Sequence, residues 1–281
     1  MCSQEPSSTY HDGRQLRSTS HHEWRNALNS AAHLLPDLQT RISQMPNLKL
    51  LDIGCGSGTI SVSLAKYMPD GHLTAIDQSP TILERAKIHA EEEGVKNITH
   101  LEGDAYNLPF EDGQFDVVHS SMLLAHLSHP VLALKEMIRV TRKQGGVISL
   151  REPDLKAWSF YPSLEGIGEF SRVQCLVHEL NGGHVDAAQR LVTWLFQTGQ
   201  VEREMIKSSV SGWCYSTPEE RRMWGNVMIG ACEGGGMKER ALRDGIVTET
   251  ELDVMKKDWE TWICAEDGWF GCLIGEALVF L

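Results

Sequence analysis

Three carboxylates stand where they could hold a nucleoside. Asp52 precedes a turn containing Gly54, Gly56 and Gly58, Asp77 lies 23 positions after Gly54, and Asp104 sits in Gly-Asp-Ala. Glycines in such a turn let the backbone take positive φ and let a ligand approach closely. A carboxylate at Asp77 can accept hydrogen bonds from both hydroxyls of a ribose, each contributing ~1.5–3 kcal/mol. Asp104 can accept from an adenine amino group while Ala105 offers its backbone N–H. Asp52 would repel a pyrophosphate and suit a cationic ligand. The dinucleotide pattern G-x-G-x-x-G also calls for a glycine at position 59, where a threonine stands. Taken alone, the glycines also fit a plain tight turn between a strand and a helix.

These residues need a scaffold that brings them to one edge. Residues 49–53 form an apolar run before the glycines, and 59–68 have helical spacing. Residues 72–76 read as a strand ending on Asp77, and Ser79-Pro80 caps a helix that stops at Gly94. Residues 97–101 and 115–119 are two more strands, and Pro130 opens a helix carrying Val131, Leu134 and Ile138. Gln144-Gly-Gly turns the chain into a strand at 147–150. Strands alternating with helices predict a parallel, doubly wound α/β sheet.

Outside this repeat the pattern changes. Residues 16–38 have helical spacing, with Pro36 expected to end the run. After Pro153 the alternation loosens, and 163–181 and 186–198 predict helices. Residues 201–213 and 273–281 predict strands, and Thr217 and Thr248 open capping boxes. The expected division is a helical cover over 1–47, a ligand-binding core over 48–154, and the remaining strands with helical insertions over 155–281.

Composition narrows the function. The chain has 281 residues, 41% of them apolar, 23% charged, with a formal net charge of −12. That balance is globular, and it argues against a nucleic-acid partner, which needs a basic face. The seven cysteines include no C-x-x-C pair and suit reduced thiols in the cytoplasm. No apolar run reaches the ~18 residues of a membrane span. His21-His22 and His129 have no carboxylate or cysteine at ligand spacing, so no metal site is expected.

The motifs Leu51-Asp-Ile-Gly-Cys-Gly-Ser-Gly, Ala75-Ile-Asp-Gln-Ser, Glu102-Gly-Asp-Ala and Leu108-Pro-Phe-Glu-Asp-Gly-Gln-Phe-Asp-Val-Val carry a resemblance. So does the stretch from Met122-Leu-Leu-Ala-His-Leu-Ser-His-Pro through Arg139-Val-Thr-Arg-Lys-Gln-Gly-Gly, where Gln144 replaces the usual proline. The chain resembles class I S-adenosylmethionine (SAM) methyltransferases of the ubiquinone/menaquinone-biosynthesis type. Its outer parts look like a subgroup of uncharacterised microbial methyltransferases. The marks are Leu16-Arg-Ser, Trp213-Cys-Tyr-Ser-Thr-Pro-Glu-Glu-Arg and Asp267-Gly-Trp-Phe-Gly-Cys-Leu-Ile-Gly-Glu.

The resemblance implies a Rossmann-like seven-stranded sheet, helices on both faces, a helical lid, and a last strand antiparallel beside the fifth. SAM would bind at Asp52, Gly54, Gly56, Gly58, Asp77, Gln78, Asp104 and Ala105, with backbone atoms of His119 and Ser120 at its methionine end. The acceptor would be a small, hydrophobic or aromatic molecule, near Tyr10 and among late aromatic residues such as Trp213. Tyr10 equally fits the surface, and most of those aromatics fit the core. Methyl transfer is an in-line displacement that depends mainly on alignment. A base is needed only if the acceptor must lose a proton; His126 is the candidate, with a structural tie as its alternative. A SAM-fold protein with a non-methylating reaction and a SAM-responsive regulator are the competing functions. A homodimer is left open.

Overall fold

The computed structural model describes residues 24–281. Tyr10, the Leu16-Arg-Ser mark and residues 16–23 of the expected leading helix lie outside the described residues. The leading run enters the described region as two short helices. Helix α1 (Ala27–Ser30) is capped by the Asn26 side chain, and α2 (Leu35–Gln44) follows. Pro36 lies in the first turn of α2. Its expected role as a terminator is corrected, because a proline in the first helical turn removes an N–H that has no intrahelical partner.

Strands β1 (Lys49–Ile53), β2 (His72–Asp77), β3 (Ile98–Glu102), β4 (Val117–Ser121), β5 (Val147–Tyr161), β6 (Ile206–Tyr215) and β7 (Trp269–Phe280) form one sheet. Its order is β3-β2-β1-β4-β5-β7-β6, and the first five strands pair in parallel. Gly145 and Gly146 exchange backbone hydrogen bonds with Leu281, while Arg151 lies beside Glu276. Positions that advance along β5 therefore go with positions that retreat along β7, so β7 is antiparallel and the sheet is mixed.

Strand β5 is longer than its sequence suggested, running on through Pro153. Its pairing with β4 ends at Ser121 and Arg151. Pro153 lies past that pair, where the β4 side of the strand has no ladder left to break.

The chain forms two compact units. Among the described residues, the first holds 24–153, Asp186–Ser211 and Ile274–Leu281. Side chains alternate across its sheet with period two. Leu50, Leu73, Ala75, Val117, Val147 and Leu278 face one core with Leu38 of α2 and Leu64 of α3 (Thr59–Tyr67). Leu51, Ile53, Ile76, Val118, Ile148 and Ala277 face the other. There they meet Leu134 of α5 (Pro130–Val140) and Leu191 of α7 (Ala187–Gln197). Both faces are covered, which is why the central strands read as near-continuous apolar runs. The remaining helix of this unit is α4 (Pro80–Glu92), capped by Ser79.

The second unit holds Asp154–Val185 and Gly212–Leu273. It contains α6 (Glu165–Leu180), α8 (Pro218–Glu233), α9 (Gly236–Arg243) and α10 (Glu249–Cys264). Thr217 and Thr248 form the expected capping boxes. Its core is aromatic: Trp259 and Trp262 meet edge to face at 5.5 Å, and Tyr215 stacks on Trp224 at 4.7 Å. Trp259, Trp262 and Phe270 are fully buried. Among the described residues no helix is long and apolar enough to cross a membrane.

Candidate functional site

The register of the parallel strands sets the acids at one edge. Ile53 of β1 pairs with Ile76 of β2, and Asp77 pairs with Glu102 of β3. The glycine turn and Asp104 therefore follow directly from neighbouring strand ends. Gly54, Gly56 and Gly58 all have positive φ, at 72°, 55° and 78°. A Cβ added at Gly58 would lie 2.8 Å from the Ala86 Cβ, so α3 and α4 pack through that glycine. A Cβ added at Gly56 would meet nothing within 4 Å, so the space above this residue is open to a ligand.

Asp77 braces the turn. Gly56 N donates to its Oδ2 and Ser79 N to its Oδ1, both at 3.0 Å. A carboxylate offers about four lone-pair sites, which leaves two for a ribose. Gly54 N and Cys55 N both donate to Ile76 O, tying the turn to β2. Gln78, next along, is exposed. Burial pushes the Cys55 thiol up, helped by the charges of Asp52 and Asp77, so Cys55 is not a ready nucleophile.

Asp104 is exposed and its Oδ1 accepts from Tyr106 N at 2.9 Å, while Ala105 is half-buried beside it. Gly103 N donates to Asp77 O, linking the two acidic strand ends. Behind this loop, Arg139 of α5 donates to Leu108 O and Phe110 O and pairs with Glu136 and Asp112. Glu136 accepts from Leu108 N. The loop that follows Asp104 is thus held from α5.

Asp52 is buried and accepts from the Ser61 hydroxyl of α3. Burial pushes its carboxyl up to about 7; the nearby Asp77 charge adds to this and the Ser61 hydrogen bond opposes it. A cation brought beside it would favour the ionised form. His119 pairs in register with Asp52, and Ser120 with Ile53. Both side chains are fully buried. Burial also lowers His119 to about 3, with His33 and Arg151 adding to the effect. His119 is therefore a neutral imidazole at physiological pH.

The segment after β4 is held by a residue that sequence reasoning missed. Glu152, buried in β5, accepts from Leu123 N, Leu124 N and Ala125 N at 3.1, 2.9 and 3.0 Å. These residues form the entry to a 3-10 turn over Leu124–His126, and Met122 before them has φ 58°. A Cβ added at Gly54 would lie 3.0 Å from Leu123 Cδ1, so this turn packs against the glycine turn. An Arg-Glu pair within an apolar strand was the available sequence signal. His126 ends the 3-10 turn and is exposed. Trp213, on β6, belongs to the aromatic core of the second unit and is half-buried there.

The structure thus brings Asp52, the three glycines, Asp77, Asp104 and Ala105 to one edge. The open backbone at Gly56, the free lone pairs of Asp77 and a buried carboxylate suited to a cation fit SAM.

Comparison with known proteins gives the family. Residues 44–201 match the family described as a methyltransferase domain. An uncharacterised methyltransferase of Schizosaccharomyces pombe is 34% identical over 209 residues, 72% of each chain. A protein of Aspergillus luteorubrus named as a methyltransferase is 27% identical over 288 residues, covering 97% of each chain. The demethylmenaquinone methyltransferase of Lactococcus lactis is 37% identical over 111 residues, 39% of this chain and 44% of its own. The YcgJ protein of Bacillus subtilis shares the fold with a TM-score of 0.53 at 15% identity, covering 89% of this chain and 98% of its own. The chain belongs to the methyltransferase domain family and is a SAM-dependent methyltransferase with the Rossmann-like class I fold.

Proposed function

We propose that this enzyme methylates a small hydrophobic or aromatic metabolite. The observation that carries the reading is the set of Asp52, Asp77 and Asp104 at or near the ends of three adjacent strands around one open glycine turn. Bound SAM supplies an electrophilic methyl group on a sulfonium. The chain's own residues bind and align. Asp77 takes the ribose, Asp104 and Ala105 take the adenine, and Asp52 offsets the positive charge. Gln78 and backbone atoms of His119 and Ser120 complete the cofactor site. Alignment of this kind can supply ~7–11 kcal/mol of the barrier.

The net charge of −12 disfavours nucleic acid as acceptor. One relative is named for demethylmenaquinone, a small organic molecule, which supports the same acceptor class. Residues 1–47 and the helices within 155–281, with Tyr10 and Trp213, supply acceptor specificity in this reading. The described cysteines form no disulfide, which suits a cytoplasmic enzyme.

The test is the full chain incubated with methyl-labelled SAM and a set of phenols, quinols and aromatic amines. Labelled product with stoichiometric S-adenosylhomocysteine is the expected result. SAM that stays intact while a metabolite rearranges would replace the reading with a non-methylating reaction. Partner capture without turnover would replace it with regulation.

A further inference from the structure

Four polar side chains form a row across the sheet unit. His119 Nδ1 lies 3.0 Å from Ser149 Oγ, and Ser149 Oγ lies 2.9 Å from His33 Nε2. His33 Nδ1 is 3.7 Å from Glu276 Oε1, an ionic contact too long for a hydrogen bond. Glu276 accepts from the hydroxyls of Ser209, at 2.9 Å, and Ser211. His119, Ser149 and Glu276 are buried, whereas the two β6 serines are exposed. The row therefore runs from β4 through β5, the turn before α2 and β7, and reaches the surface at β6.

Two proton arrangements satisfy the hydrogen bonds, and Glu276 selects between them. If His33 carried its proton on Nε2, the bare Nδ1 would face a carboxylate oxygen, which is repulsive. Arg151 Nε lies 3.6 Å from that same oxygen. His33 therefore holds its proton on Nδ1, and Nε2 accepts from the Ser149 hydroxyl. Ser149 accepts from His119 Nδ1–H, and His119 Nε2 is left as a bare lone pair. That atom is buried and has no hydrogen-bond partner among the described residues. The Ser121 hydroxyl, two positions along the same strand, is also buried without one. Buried polar atoms are nearly always paired, so a bare buried acceptor is suited to take a hydrogen from a bound molecule. His119 sits in register with Asp52, one residue before the partner of Ile53. The glycine turn starts immediately after Ile53.

We propose that His119 Nε2 receives the hydroxyl hydrogen of the methyl acceptor, which is then a phenol or alcohol. Ser149, His33 and Glu276 carry the released proton toward the sheet edge. This inference rests on the methyltransferase reading and assigns the base to His119 rather than His126.

The step balances. The acceptor oxygen bonds to the methyl group while the sulfur–carbon bond breaks, its electron pair staying on sulfur. The O–H bond breaks, and its proton goes to His119 Nε2. His119 passes its Nδ1 proton to Ser149, Ser149 passes its own to His33 Nε2, and His33 Nδ1 protonates Glu276. The last transfer requires the 3.7 Å gap to close to hydrogen-bond length. Each imidazole ends neutral, having only exchanged tautomers. That suits a buried site which disfavours an imidazolium. Glu276 can then lose its proton through the exposed serines.

The experiment is nitrogen-15 NMR of the histidine-labelled full chain with S-adenosylhomocysteine, titrated with phenol and, separately, with anisole. Ser149→Ala serves as the control variant. The expected result is His119 protonated on Nδ1, with a bare Nε2 resonance that phenol shifts and anisole does not. In Ser149→Ala, His119 should populate both tautomers. A proton on Nε2 in the wild-type chain would overturn the inference. So would equal responses to the two probes, no response to phenol, or an unchanged tautomer in Ser149→Ala. Calorimetry of S-adenosylhomocysteine on the same samples tests the cofactor reading separately, and the tautomer of the free chain is decisive even if that binding fails.

Discussion

Asp77 holds the glycine turn, and in the proposed cofactor site it also takes the ribose, so its loss has two expected costs. Asp77→Ala should weaken S-adenosylhomocysteine binding by ~2–4 kcal/mol, read by calorimetry, since charged hydrogen bonds are lost. Wild-type affinity would remove Asp77 from the site. Asp52 adds a pH dependence. Below about 7 it is protonated in the folded chain, and a bound cation favours its carboxylate. SAM affinity should therefore rise with pH through about 7, with a proton released on binding, and Asp52→Asn should flatten the profile. Stability runs the other way. The unfolded chain ionises Asp52 near its ordinary 3.8, so its contribution falls as pH rises from there to about 7. For His126, the buried row of His119 and Ser149 predicts near wild-type kcat in His126→Ala. A loss of ~10²–10⁴-fold would instead identify His126 as the base. The grouping of Asp52, Asp77 and Asp104 was legible because each acid lies at or near the end of a strand beside a glycine. His33, Ser149 and Glu276 were not, because they meet only through the fold and share no spacing.

At the scale of elements, capped helices and short strands could be read directly. Ser79-Pro80, Thr217 and Thr248 each bond the backbone a few residues away, and such local chemistry survives in sequence. Pro36 misled, since it lies where no neighbouring N–H is needed, a fact that depends on surrounding structure, and the extension of β5 beyond 150 was not read. The Glu152 contacts belong to the same class. One carboxylate of β5 gathers three N–H groups from the turn after β4, and that turn packs on Gly54. Glu152→Ala would leave these donors without their partner, at ~1–3 kcal/mol for each buried one. The expected outcome is a clear drop in Tm together with weaker S-adenosylhomocysteine binding. A lower Tm with unchanged affinity would confine Glu152 to stability.

Across the whole molecule, the two units rest on different cores. The sheet unit packs aliphatic side chains on both faces, and the second unit packs tryptophans and phenylalanines. Trp259→Ala should cost ~3–5 kcal/mol of stability by removing a fully buried ring. Differential scanning calorimetry should show the loss, while the protein that remains folded binds S-adenosylhomocysteine nearly as before. A large fall in affinity would tie the aromatic core to the cofactor site. The sheet order was legible only through family resemblance, because periodicity identifies strands without saying which are neighbours. The aromatic residues announced a core or a pocket, and complete burial of Trp259 and Trp262 assigns those two to the core.

The Asp77 brace also bears on how fast the site fills. Gly56 N–H and Ser79 N–H hold the carboxylate through the protein's own backbone, so the brace does not depend on cofactor atoms and should leave the turn little to order at encounter. Association need not wait on a loop rearrangement, and its rate can approach the ~10⁵–10⁷ M⁻¹s⁻¹ of simple docking. Differences in cofactor affinity among variants that keep the brace should then appear in residence time.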